Sequence, residues 1–312
     1  MWSDWPVTSP VDPSSPADRT VTPGDTADDP ETLRRIAVEV ARDAGRLVAR
    51  RRPEVFGPRG AAADAVQSKS TRTDPVTVVD TEAEHRVREL LRTYRPDDDV
   101  LGEEGGGAVR APSGVRWVVD PIDGTVNFLY GLPAYAVSVA AQVNGTSVAG
   151  AVEDVVGRRT YAAARGGGAW VSEDGGDWVR LSVTDVDDVS MALVATGFGY
   201  GAARRRRQGE VVSGLLPRVR DLRRVGSAAL DLCMVAAGQV DAHFEHGLSP
   251  WDWAAGALVA AEAGAVVRTP SPHSRSSDGE VTVAASPGVA AAFSALLDEL
   301  GALDPIAEDP AR

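Results

Sequence analysis

Apolar positions at Leu33, Ile36, Ala37, Val40, Ala44, Leu47 and Val48 recur every three or four residues with charges between them. That spacing predicts an amphipathic helix over Glu31–Arg52, packed on a core. A second helix is predicted over Glu82–Tyr94, capped by Asp80 or Thr81, with Glu84 completing a capping box with Thr81. The rhythm then changes. Runs at Ala134–Val143, Ser147–Val155, Arg158–Ala164 and Gly168–Val171 predict an antiparallel meander, with Asn144-Gly145 as a hairpin turn. Beyond Met191 strands and helices alternate: strand Met191–Thr196, helix Ala203–Arg218, strand Arg223–Val225, helix Ser227–Ala237, strand Val240–Phe244, helix Trp251–Ala263. A strand at Glu280–Ala285 and a helix at Val289–Leu300 follow. Alternation of this kind predicts layered α/β packing.

Three segments lack such a pattern. Residues 1–30 are rich in Pro and Asp and are expected to be a disordered tail, although Trp2 and Trp5 could dock. Residues 53–73 are expected to form a loop containing Lys69, and 303–312 to fray. Composition shifts near 185–190 without a Pro/Gly-rich linker, so the expectation is one domain over 31–302 with lobes 31–187 and 188–302.

Composition narrows the function. The chain has 312 residues, 43% hydrophobic and 25% charged, which suits a globular protein with a sizeable core. A net charge of −13 argues against nucleic acid or an anionic membrane as the main partner. Cys233 stands alone, so no intrachain disulfide forms. Four histidines are too few and scattered for a His-based zinc site; His243 and His246 come nearest. No apolar run reaches the roughly 18 residues of a membrane span, and no signal peptide is recognisable, so the expected compartment is the cytoplasm. Arg204–Arg207 is the one basic cluster, read either as the solvated start of a helix or as a contact for a polyanion.

The chemistry concentrates in Trp117-Val118-Val119-Asp120-Pro121-Ile122-Asp123-Gly124-Thr125-Val126-Asn127-Phe128. Three bulky residues read as a buried strand, with two acids where Pro121 is expected to stop the ladder. Gly124 permits a sharp turn, and Thr125 and Asn127 suit a helix start. Such a stretch is either an Asp-rich turn or a seat for divalent cations beside a phosphate. Asp74, Asp80, Glu103, Glu104 and Asp252 also lie at strand ends or helix starts. Capping would explain Asp252 alone, but not all of these together. Converging carboxylates stay ionised only around cations, and oxygen-only ligation points to Mg2+ or a related hard ion.

Four motifs in order, Lys69-x4-Asp74-Pro75-Val76-Thr77-Val78-Val79-Asp80, Gly102-Glu103-Glu104, Trp117–Phe128 and Trp251-Asp252-x2-Ala255-Gly256, resemble the inositol monophosphatase family. Arg224-Val225-Gly226-Ser227-Ala228-Ala229 and Glu245 add to the likeness, which spans about residues 31–300 and is closest to the family's bacterial branch. The resemblance implies a five-layer α/β/α/β/α sandwich of the sugar-phosphatase superfamily and a homodimer. It implies Mg2+-dependent hydrolysis of inositol monophosphate, with lithium sensitivity. Glu103, Asp120 and the carbonyl of Ile122 would hold one ion, Asp120, Asp123 and Asp252 a second, and a third would sit near Glu103. The N–H groups of Gly124 and Thr125 would receive phosphate. Asp80 would polarise the Thr125 hydroxyl and, with Glu103, orient the attacking water. Gly226, Ser227, Ala228 and Glu245 would contact the ring of the polyol. Pro250 and Trp253 depart from the family pattern without removing a ligand. The same chemistry on histidinol phosphate, fructose-1,6-bisphosphate or a 3′-phosphoadenosine nucleotide is the alternative substrate reading. A regulatory protein that binds RNA or a transcription complex is the alternative of another class.

Overall fold

A computed structural model describes residues 28–57, 66–68, 75–107 and 114–308. The expectations for Trp2, Trp5, Lys69, Asp74 and the last four residues lie outside that range. Chain order is α1 (Pro30–Phe56), β1 (Val66–Ser68), β2 (Pro75–Thr77), α2 (Val78–Tyr94), β3 (Asp99–Gly102), β4 (Val115–Asp123) and α3 (Thr125–Tyr130). Then come β5 (Ala136–Val143), β6 (Thr146–Asp154), β7 (Arg159–Ala164), β8 (Gly168–Glu173), β9 (Trp178–Arg180) and β10 (Leu193–Thr196). The remainder is α4 (Ala202–Leu215), β11 (Asp221–Arg223), α5 (Ala228–Ala236), β12 (Ala242–His246), α6 (Pro250–Glu262), β13 (Val266–Arg268), β14 (Val281–Ala285) and α7 (Pro287–Glu299).

Alternation along the strands explains the layers. In β4, Trp117 and Val119 enter the core under α1 and α2, whereas Val118 enters the opposite core with α5 and α6. In β5, Val137, Val139 and Ala141 face the first core and Ala136 and Ala140 the second. The large sheet, ordered β3-β4-β5-β6-β7-β8-β9, is thus covered on both faces. A second sheet, β11-β10-β12-β14-β13, lies on the far side of α5 and α6. Its outer face packs on α4 and α7 through Val211, Leu215, Phe244, Phe293 and Leu297. The result is five layers, α/β/α/β/α, as expected. The middle layer is built from small residues: Ala254, Ala255, Gly256, Ala257 and Ala260 on α6 are buried. Gly150 of β6 lies so close that a Cβ there would meet the Ala255 backbone at 3.1 Å.

Several boundaries differ from expectation for physical reasons. The first helix continues past Arg52 through Pro53, because Phe56 is buried edge-on against Phe128 at 5.3 Å. The second helix begins at Val78, capped by Thr77 rather than by Asp80 or Thr81. Glu84 completes no box with Thr81; its carboxylate instead accepts the N–H groups of Glu104 (2.7 Å) and Gly105 (2.8 Å). Pro121 does not end the strand. The register slips between Asp120 and Asp123, and that irregularity absorbs the missing N–H. The Asn144-Gly145 turn forms as expected, with φ of 51° and 77°. The three-residue strands β9 and β13 are too short to show a period. Residues 303–308, expected to fray, are held: Ile306 N–H bonds Gly279 O at 2.9 Å, and the Arg204 guanidinium donates to Ile306 O at 2.7 Å. Arg204 is therefore buried rather than part of a solvated face; Arg205 and Arg206 remain exposed.

Candidate active site

The strand β4 carries Asp120 and Asp123 inward, both buried. The Ile122 N–H donates to Asp120 Oδ1 at 2.9 Å, the turn that the slipped register allows. Asp123 Oδ2 accepts the Ser227 hydroxyl (2.6 Å) and the Ala229 N–H (2.7 Å), so the large sheet is tied to the start of α5. Asp252 arrives from α6, where its Oδ2 accepts the Ser249 N–H at 2.7 Å. Ser138 of β5 fixes that helix start by donating to Trp251 O at 3.1 Å. Oxygens of Asp120, Asp123 and Asp252 thereby lie within 4.8 Å of one another. Glu103 follows β3, its N–H on Val119 O at 3.2 Å. The backbone on both sides of it is shaped by Glu84: a Cβ on Gly102 would fall 2.4 Å from Glu84 Oε1.

Electrostatics show the strain in this arrangement. Burial pushes the Asp123 carboxyl up to about 6, against the lowering effect of Ser227 and the Ala229 N–H. Asp252 is held well above the ordinary carboxylate range by burial first, then by the charges of Glu103 and Asp123. Grouped acids that resist joint ionisation are relieved by a cation. Their all-oxygen donor set fits a hard divalent ion such as Mg2+.

Beside the acids, Gly124 adopts φ 94° and opens α3; a Cβ there would sit 2.9 Å from Ala134 O. Thr125, the first helical residue, points its hydroxyl at Ile122 O (3.0 Å) and Asp80 Oδ1 (3.3 Å). Asp80 is aimed by Thr77, whose N–H (2.9 Å) and hydroxyl (2.5 Å) both bond its Oδ2. Gly226, with φ 96°, leads to Ser227, the N-cap of α5, and Ala228, its first residue. Glu245 on β12 is half-buried against Gly197, where a Cβ would lie 2.1 Å from its Oε1. Burial pushes its carboxyl up to about 8, with Arg224 opposing.

The structure therefore brings together Asp120, Asp123 and Asp252, pairs Thr125 with Asp80, and joins Ser227 to Asp123. Thr77 and Ser249 escaped notice in the sequence, yet each heads a [Ser/Thr]-x-x-Asp pattern, the capping-box signal that would have found them. Asn127 does more than start a helix: its amide donates to Ala134 O (2.7 Å) and Val225 O (2.9 Å), bridging the two lobes. Pro250 stands at the first position of α6, where its missing N–H is harmless, and Trp253 is buried. His243 and His246 sit at opposite faces of β12 and cannot share an ion; His246 bonds Ala302 O at 2.9 Å instead.

Five layers with a carboxylate cluster at the junction of the large sheet and the middle helices define a phosphatase of the α/β/α/β/α class. The chain belongs to the inositol monophosphatase family, whose model matches residues 29–303, and is on that ground a phosphoric monoester hydrolase. It is 55% identical over 284 residues to the inositol-1-monophosphatase of Mycobacterium leprae, covering 89% of this chain and 97% of that one. The solved structure of Mycobacterium tuberculosis SuhB superposes with a TM-score of 0.76 at 48% identity, covering 89% of this chain and all of the other. More distantly, the Nus factor SuhB of Pasteurella multocida is 38% identical over 236 residues, 74% of this chain and 83% of its own. Among the described residues no helix is long and apolar enough to cross a membrane.

Proposed function

We propose that the protein hydrolyses inositol monophosphates to myo-inositol and phosphate in a Mg2+-dependent reaction. The observation that carries this is the convergence of Asp120, Asp123 and Asp252 from two layers, beside Glu103 and the Asp80–Thr125 pair. The names of the mycobacterial relatives supply the substrate class. Asp120, Asp123, Asp252, Glu103 and the carbonyl of Ile122 would hold two to three ions. When bound, Mg2+ supplies Lewis acidity at the phosphoryl group and makes water a stronger nucleophile near neutral pH.

This chain's own residues do the rest. Backbone N–H groups of Gly124 and Thr125 precede the first intrahelical bond, Phe128 N–H to Gly124 O, and face the phosphate. The Thr125 hydroxyl would take a proton from the attacking water as its own moves toward Asp80, with Glu103 orienting that water from the other side; as the ester P–O bond breaks, the leaving inositol oxygen takes up a proton from solvent. Gly226, Ser227, Ala228 and Glu245 receive the ring, with Glu245 accepting from a hydroxyl. Its acceptor would equally take the amine of histidinol phosphate. Turnover on inositol-1-phosphate, histidinol phosphate, fructose-1,6-bisphosphate and a 3′-phosphoadenosine nucleotide, each with Mg2+ and with added Li+, tests the assignment. No phosphate release from inositol-1-phosphate would sink it.

We also propose a homodimer, tested by light scattering on the purified chain. The Nus factor relatives and exposed Arg205 and Arg206 support a second role in binding a transcription complex. A pull-down that survives Asp120→Asn and fails in an Arg205→Glu/Arg206→Glu variant would establish it.

A further inference from the structure

A second group of chemistry-bearing side chains lies behind the site. Residues 243 and 245 are two apart on β12, so both side chains leave the same face of the strand, toward α5. There they meet Asp231, one turn into α5. Ligand atoms of Asp231, His243 and Glu245 all lie within 4.8 Å of one another. Asp231 and His243 are each 0% exposed. Neither oxygen of Asp231 and neither ring nitrogen of His243 has a hydrogen-bond partner. Buried polar groups of this kind are nearly always satisfied, and leaving a carboxylate and an imidazole without partners is unfavourable.

The spacing indicates the kind of group that fits between them. Asp231 Oδ2 and His243 Nδ1 are 3.8 Å apart, too far for a hydrogen bond. Two ligands bonded at about 2.0–2.1 Å to one tetrahedral ion stand about 3.4 Å apart, so a closing of about 0.4 Å would seat one ion between them. We propose that Asp231, His243 and Glu245 form a second cation site, distinct from Asp120–Asp123–Asp252, that takes one divalent ion of the zinc, cobalt or manganese class. An imidazole in the donor set selects such an ion over Mg2+, which prefers oxygen alone. Burial holds the His243 imidazolium well below its ordinary range, at about 3, so the ring is neutral and ready to ligate. Arg224, whose field reaches both Asp231 and Glu245, offsets part of their charge but is no ligand to either. Three protein ligands leave a position open toward the half-buried side of Glu245, the arrangement of an exchangeable rather than a closed site. Too few histidines stand near one another for a His–His zinc site, but the fold assembles one imidazole with two acids.

Glu245 is common to this ion and to the ring contact proposed above, so occupancy would couple metal supply to substrate binding; the binding test does not depend on that reading. The full chain is dialysed against Zn2+ in excess Mg2+, which fills the oxygen-only cluster, and retained zinc is measured by elemental analysis. Co2+ absorption in the visible reports ligand type independently. One Zn2+ per chain is expected for the wild type and for Asp120→Asn, with affinity weakened more than about tenfold in His243→Phe and the Co2+ band changed. Should His243→Phe fail to fold, near-isosteric Asp231→Asn gives the same reading. No retained zinc, retention unchanged in both variants, or zinc lost on Asp120→Asn would each overturn the site.

Discussion

Every acid of the cluster is tethered by a neighbour's N–H or hydroxyl: Asp120 by Ile122, Asp123 by Ser227 and Ala229, Asp252 by Ser249. Their positions are thus set by the protein before a cation arrives. Asp120→Asn keeps the Ile122 contact and removes a charge shared by two proposed ion positions. Phosphate release with saturating Mg2+ is expected to fall by more than about a hundredfold, beyond the loss typical of outlying ligand partners. Glu153 offers a cleaner electrostatic test away from the site. Burial against α1 pushes its carboxyl from 4.5 up to about 6, with Thr160 and Arg42 opposing. Folding therefore favours the protonated form. Stability from this group is present below pH 4.5 and lost as pH rises through 6, so Glu153→Gln is expected to stabilise by about 1–2 kcal/mol at pH 8 and by little at pH 4.5. Thermal melts at both values check it. At this scale the acids were legible, because carboxylates at strand ends have few structural uses. The pairing of Asp231 with His243 was not, since an acid in a helix and a histidine on the following strand carry no local pattern.

Among elements, the helix starts do the aiming. Thr77 caps α2 and points Asp80 at Thr125; Ser249 caps α6 and holds Asp252. Thr77→Val is expected to cost about 1 kcal/mol of stability through the lost cap, and to lower kcat more than KM because Asp80 loses its anchor. Equal changes in kcat and KM would deny Asp80 that role. Helix and strand identity was readable from periodicity over most of the chain. Boundaries were not, where tertiary contacts decide them: Phe56 on Phe128 draws α1 past Pro53, and the slipped register carries β4 past Pro121. Arg204 looked like surface because three more arginines follow it; only the fold reveals the carbonyls of Ser276 and Ile306 that bury it.

For the whole molecule, the acids link layers. Asp120 and Asp123 belong to the large sheet and Asp252 to the middle helices, so a cation between them staples one to the other. Mg2+ is expected to raise Tm in wild type, by about 2.7 kcal/mol of added stability at a hundred times Kd, and much less in Asp120→Asn. On the far side, the Arg204 anchor closes residues 303–308 onto the second sheet. Arg204→Met is expected to destabilise by about 2–3 kcal/mol in denaturant melts, leaving carbonyls without their charged donor.

The alanine-rich middle layer has a consequence for how such a protein can change over generations. Helix α6 carries Asp252 at one end and touches both sheets along its length, with Gly150 pressed to the Ala255 backbone. A single added methyl group there would wedge the floor from the roof and draw Asp252 away from Asp120. Turnover and melting temperature are both expected to fall. Added bulk at Gly150 or Ala255 is therefore expected to cost more than the same change at an exposed position.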